Sequence, residues 1–206
     1  MTIEIKISRK PVQYREALAY LEKKVETINS GIGNELLWVL NHPDTYTAGV
    51  SSKSSEILDK KLKIVKTNRG GKVTWHGKGQ KIYYFVMDLS KKDKDIRKFI
   101  NIIEKTIIDS LKEFKINSFA DRKNIGIWVK KKNKIKKVAA IGIKVRKWIA
   151  YHGFAININN NLKKYDKIVP CGIKNKGITN LMEIKKQNYK NIDKVLIRNF
   201  LKNLKT

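Results

Sequence analysis

The chain is poor in cysteine, proline and acid. Its 206 residues hold one cysteine, three prolines and 18 Asp+Glu. A lone cysteine, Cys171, excludes an intrachain disulfide and suits a reducing compartment. No Cys or His pair has metal-ligand spacing, and neither a Walker A nor a GxGxxG loop is present. The sequence therefore gives no metal and no nucleotide signature. No Pro/Gly/Ser-rich linker and no repeat divides the chain, which predicts one domain over residues 1–206. No run approaches the ~20 apolar residues of a membrane span, and MTIEIKISRK lacks an apolar signal core. These absences predict a cytoplasmic protein that does not enter a membrane.

What is abundant is positive charge. Against those few acids stand 46 Lys+Arg, for a formal net charge of +28. Such a field attracts anions: nucleic acid, anionic lipid or acidic proteins. Lys, Asn and Ile are common everywhere, as AT-rich codon usage produces, so composition alone does not separate a functional charge from a compositional one. Hydrophobic residues make up 41% of the chain, which is enough for a buried core at this length.

The pattern interleaves strands and helices. TIEIKI (2–7) alternates as a strand does. From Pro11 a helical spacing runs through Val12, Tyr14, Leu18, Leu21, Val25 and Ile28, closed by Gly31 and Gly33. ELLWVL (35–40) is an apolar run of strand length, and 41–49 reads as a loop between Pro43 and Gly49. A short helix over 54–62, a strand near 62–66 and a strand over 81–89 come next. Ser90 is placed to cap a helix over 91–115 with one apolar stripe. Strands at 125–130, 135–146 and 148–158 follow, then a helical turn in 160–167, an ambiguous 178–184 and a closing helix at 191–204. The expected class is α/β (α+β), a mixed sheet flanked by helices. KKKNKIKK (130–137), the densest charge run, reads as a solvated hairpin tip.

Four places carry chemistry. Cys171 lies in IVPCGI, where Pro170 and Gly172 favour a turn that exposes sulfur and leaves N–H groups for an oxyanion. A thiol nucleophile needs a base or a lowered pKa. His42, His76 and His152 are all available partners, and spacing does not choose among them. Lys137 stands where the charged run enters the apolar VAAIGIKV. A desolvated lysine serves as a base, although its neighbours predict that it snorkels into solvent. RGGKVTWHGKGQ (69–80) concentrates glycine beside Trp75 and His76. Gly70-Gly71 reads as a turn whose N–H groups form a nest for a carbonyl or phosphate.

Taken together, RGGKVTWHGKGQ, KVAAIGIKV, YHGFAININ and IVPCGI with GITNLMEI closely resemble the lipoyl(octanoyl) transferase family, and HPDTYTAG and GIWV match as well. The resemblance runs in family order over about residues 35 to 184. It implies that Cys171 is the acyl acceptor and Lys137 its partner. It implies an acyl site formed by Arg69, Gly70, Gly71, Lys72, Val73, Thr74, Trp75 and His76, by Ala140, Ile141 and Gly142, and by Gly153, Phe154 and Ala155. It further implies the catalytic-domain fold of biotin and lipoate protein ligases, and an acyltransferase of lipoate biosynthesis that needs no cofactor. The implied donor is octanoyl-acyl carrier protein. The implied acceptors are lipoyl domains of 2-oxoacid dehydrogenases and the glycine cleavage H protein. The chain departs from the family at Lys78, where proline is usual, at Tyr83, which replaces a glycine, and at Phe85, which replaces a proline.

Two other readings compete. An ATP-dependent lipoate–protein ligase shares the fold, but such ligases have a longer glycine run after the arginines and lack the PCG cysteine. A basic nucleic-acid-binding module fits the charge, but no recognised binding motif supports it.

Overall fold

The computed structural model describes residues 2–169 and 177–205; Cys171 and the turn assigned to it lie outside the described residues. The alternating N-terminal segment forms β1 (Ile3–Ile7). It leads to α1 (Tyr14–Asn29), whose buried stripe is Tyr14, Ala17, Leu21, Val25 and Ile28. Those intervals of three and four keep one face toward the sheet. The helix begins three residues beyond Pro11, with Gln13 at its N-cap. It ends where Gly31 takes φ +76° and its N–H reaches the Ile28 carbonyl at 3.0 Å, a left-handed helix stop.

ELLWVL becomes β2 (Glu35–Leu40), buried at all six positions. It pairs in parallel with β1 and antiparallel with β6 (Gln80–Asp88). Covered on both faces, such a strand has no solvated side and so carries a continuous apolar run. The sheet continues through β10 (Ile149–Asn157), β9 (Lys134–Arg146), β8 (Ile127–Lys131) and β7 (Phe119–Ala120). A second sheet orders β4 (Ile64–Lys66), β3 (Thr45–Ala48) and β5 (Val73–His76). The reading of 41–49 as a loop is thus corrected: Pro43 and Gly49 flank a short strand. The helix read over 54–62 shrinks to one tight turn, Ser54–Glu56.

Two helices cover one face of the large sheet. The first, α2 (Ile96–Glu113), starts later than Ser90 predicts. Asp95 is its cap, its carboxylate accepting from Arg97 N and Lys98 N at 2.8 and 2.9 Å. Positive φ at Asp93 and Lys94 breaks the chain before it. On β6, Phe85 meets Phe99 of α2 edge-on, with centroids 5.1 Å apart. It also stacks on Phe200 of the last helix, Ile192–Asn203. The opposite face presents Leu36, Trp38, Leu40, Ile82, Tyr84 and Val86 to the α1 stripe. The predicted mixed sheet flanked by helices is therefore the fold. No helix among the described residues is long and apolar enough to cross a membrane.

The charge run is a hairpin tip, as read. Lys132 and Asn133 both have positive φ, the signature of a two-residue turn joining β8 to β9. At the far side of β9 a short strand, β11 (Gly177–Ile178), runs parallel to Lys136–Lys137. It begins where β10 has ended, Ile156 opposite Ala139 being the last β10–β9 pair. The ambiguous 178–184 resolves into the end of β11 and α3 (Leu181–Ile184).

Candidate active site

A cavity of about 580 Å³ opens where residues 69–72 cross the large sheet at β9 and β10. The crossing is backbone on backbone. The Gly70 N–H donates to the Ile143 carbonyl at 3.1 Å, and a Cβ on Gly70 would lie 2.7 Å from that same oxygen. Only glycine allows this approach. The nest expected at Gly70-Gly71 is corrected accordingly, because the Gly70 N–H is already committed to β9.

Arg69 holds the crossing in place. Its Nη2 donates to the Thr47 carbonyl and hydroxyl at 3.0 and 2.8 Å and to the Lys72 carbonyl at 2.8 Å, and its Nη1 reaches the Gly70 carbonyl at 3.0 Å. The planar fork thus ties β3 to the turn. Lys72, on the cavity wall, pairs with the buried Glu56 at 2.8 Å.

The three histidines are bonded inward. His42 Nδ1 lies 2.7 Å from the Val12 carbonyl, which can only accept, so Nδ1 carries the proton and Nε2 accepts from the Tyr84 hydroxyl at 2.8 Å. A relay of amides fixes His76 in the same way. Asn157 Nδ2 donates to the Thr179 carbonyl, Asn157 Oδ1 accepts from Gln80 Nε2 at 2.9 Å, and Gln80 Oε1 therefore faces His76 Nδ1–H at 2.8 Å. His152 Nε2 meets Asn68 Oδ1 at 2.7 Å. Burial lowers His42 to about 4, against the Val12 bond. Burial, then the nearby His42 and Arg69, lowers His76 to about 3. Burial, then Arg69 and Lys144, lowers His152 to about 3. All three are neutral at neutral pH, and they line or back the inner wall with Tyr84.

Lys137 does not snorkel, contrary to the reading from its neighbours. It is 4% exposed and lines the cavity. Its Nζ donates to the Ile125 carbonyl at 2.9 Å and sits over the Trp128 ring, 4.7 Å from the centroid. On its other side, Ile178 pairs with it and the Thr179 N–H donates to its carbonyl at 2.9 Å. Thus the described chain resumes at Gly177 and pairs with the backbone of Lys136 and Lys137.

The lipoyl protein ligase A/B catalytic domain model matches residues 13–201. The chain belongs to this family. The catalytic domain is similar to proteins named octanoyltransferase: 42% identity over 184 residues in Ehrlichia chaffeensis, covering 88% of this chain and 86% of that one. With the Wolbachia protein of Brugia malayi the identity is 40% over 203 residues, covering 97% and 98%. Among solved structures, a lipoate-protein ligase A bound with ATP superimposes with a TM-score of 0.79 at 20% identity, over 100% of this chain and 86% of that one. A bi-partite lipoate protein ligase from Thermoplasma acidophilum does so with 0.74 at 16% identity, over 100% and 84%. These two show the fold of this lipoyl protein ligase A/B catalytic domain.

Within the domain, the cavity gathers most residues singled out in the sequence: Arg69 to Thr74, His76, Lys137, Ala140 to Gly142 and Gly153 to Ala155. Trp75 is the exception. Its indole is buried against Tyr165, centroids 5.7 Å apart, in a separate cluster under the small sheet, and it does not line the cavity. Tyr83 and Phe85, the departures from the family pattern, face the α2 side by strand alternation, while Ile82 and Tyr84 line the cavity. Sequence reasoning missed Ser51, Ile82, Tyr84, Ile100, Lys123, Asn124, Ile125 and Ile143 at the wall. Of these Ile100 carried a signal as part of the helical stripe, Ile82 and Tyr84 as part of the 81–89 strand, and Ile143 as part of KVAAIGIKV.

Proposed function

We propose that this chain moves an octanoyl group from octanoyl-acyl carrier protein to lysines of lipoyl domains, through a thioester on Cys171. The acceptors are the lipoyl domains of 2-oxoacid dehydrogenases and the glycine cleavage H protein. The Cys171 thiolate attacks the donor carbonyl, a new C–S bond forms, and the bond to the carrier sulfur breaks. The departing thiolate takes a proton from Lys137. A lysine amine of the lipoyl domain then attacks the acyl-enzyme. Its proton passes to Lys137, the amide C–N bond forms, and Cys171 leaves as thiolate. The first exchange trades thioester for thioester and the second makes the more stable amide, so no ATP enters.

The single observation that carries this reading is the buried amine of Lys137 on the wall of a cavity lined by Val73, Ile82, Ile141, Phe154 and Ala155. Relatives named octanoyltransferase at about 40% identity support the acyl class. Burying an alkyl chain there contributes about 0.8 kcal/mol per CH₂, which favours an eight-carbon chain over shorter ones. The Lys137–Ile125 bond leaves the amine at the wall instead of in solvent, where it meets the acyl carbonyl.

The test is to mix enzyme, octanoyl-carrier protein and an apo lipoyl domain without ATP. Octanoyl-amide on the domain is the expected product. A product that appears only from free octanoate plus ATP would make the chain a ligase and overturn the proposal.

A further inference from the structure

The amine of Lys137 is held by the turn that precedes β8, and one side chain organises that turn. The Trp128 Nε1–H donates to the Asn124 carbonyl at 2.9 Å, closing residues 124–128 into a loop. Within it the Ile125 carbonyl points at Lys137 Nζ, 2.9 Å away. Gly126 has φ +133°, and a Cβ there would lie 3.2 Å from Nζ and 2.8 Å from the Ala139 carbonyl. From α2, the Glu104 carboxylate lies near the Gly126 N–H. Lys123, on the same loop, lines the same cavity.

The register explains why Trp128 can do this. Between Ile127 and Trp128 the pairing with β9 jumps from Ala139 to Lys137. That is a bulge, which leaves Val138 as the extra residue and re-aims its neighbours. Trp128 therefore lies directly opposite Lys137, with its ring face 4.7 Å below the amine. The ring and Lys137 are both buried, so the ammonium meets a π face with little solvent between them, where such contacts are stronger than at the surface.

We propose that Trp128 is a positioning residue for Lys137: its indole closes the turn that supplies the Ile125 carbonyl and gives the ammonium a π face in place of solvent. The proposal rests on Lys137 being the proton-transfer group of the octanoyl reaction. Removing the face disfavours the charged amine, and opening the turn loosens its position. Removing the face acts on the ammonium alone, whereas opening the turn also moves Asn124 and Ile125 at the cavity wall.

The test compares wild type with Trp128→Phe, Trp128→Leu and a trifluorinated tryptophan placed at position 128, which keeps the shape while weakening the face. Release of octanoyl from the acyl-enzyme to a lipoyl domain is followed, and kcat and KM are measured. The fluorinated residue, which keeps the turn closed, is expected to lower kcat severalfold with KM for the octanoyl donor unchanged, and Trp128→Leu to lower kcat about tenfold and raise KM. Trp128→Phe should fall between wild type and Trp128→Leu. A kcat that is the same across the whole series overturns the inference. Lys137→Ala separates the two claims. If it retains transfer, the proton-transfer reading of Lys137 is wrong; if it abolishes transfer while the Trp128 series stays flat, only the role of Trp128 is wrong.

Discussion

Gly153 is the residue whose replacement tests the packing of the site most sharply. It sits in β10 between Tyr84 of β6 and Gly142 of β9, directly after His152, which has φ +71°. An added Cβ would lie 1.9 Å from the Tyr83 carbonyl oxygen and 3.0 Å from the Tyr84 Cα, where ordinary contact begins at 3.4 Å. The obstacle is backbone hydrogen-bonded in the middle of the sheet, so the two strands must part by more than an ångström. Overpacking of this kind costs about 1–3 kcal/mol, and an immovable backbone places Gly153→Ala near the upper end, about 3 kcal/mol. At about 2–4 °C per kcal/mol for a chain of this size, Tm should fall by roughly 6–12 °C. Gly177→Ala is the control. Its nearest neighbour is the flexible side chain of Lys136 at 3.7 Å, and loss of unfolded-state freedom alone stabilises by about 0.4–1 kcal/mol. Urea midpoints and circular-dichroism melts of the two variants check the contrast. Equal stability of the two would refute the reasoning.

The buried histidines make stability depend on pH. Their folded values lie below the ordinary 6.5, at about 4 for His42 and about 3 for His76 and His152. Between those values and 6.5 the unfolded chain binds protons that the folded chain refuses, so stability is present above 6.5 and is lost as pH falls toward 4. Each imidazole accounts for on the order of 3 kcal/mol over that window, which urea titrations at pH 7.5 and 5 would reveal as a falling midpoint. Asp95→Ala should cost about 1 kcal/mol through the lost helix cap, whereas Ser90→Ala, which lies before the helix, leaves the start of α2 intact. If the net charge of +28 steers acidic carrier proteins to the cavity, kcat/KM for the protein donor should fall with salt; a rate indifferent to salt would make the charge compositional.

The fold was legible where one residue type dominates a segment. ELLWVL declared a strand buried on both faces, and the stripes of α1 and α2 declared their inward faces. Boundaries failed where local signals pointed elsewhere. Pro43 and Gly49 look like a loop but bracket β3, because pairing with β4 and β5 outweighs their punctuation. Ser90 looks like a cap, but its hydroxyl donates to Asp88 instead. At the site, Lys137 is the instructive case. Its neighbours in sequence are lysines in solvent, so local reasoning sends it outward. Its burial comes from Ile125, Gly126 and Trp128, about ten residues away in sequence and brought opposite by a bulge. Trp75 failed in the reverse direction: it shares a motif with cavity residues, yet strand β5 and Tyr165 carry it into a different cluster.

Intact-mass measurement after exposure to octanoyl-carrier protein tests the central claim most directly. One octanoyl adduct on the wild type, absent from Cys171→Ser and greatly slowed in Lys137→Ala, is the predicted result. An adduct of equal size and rate on Cys171→Ser would contradict it.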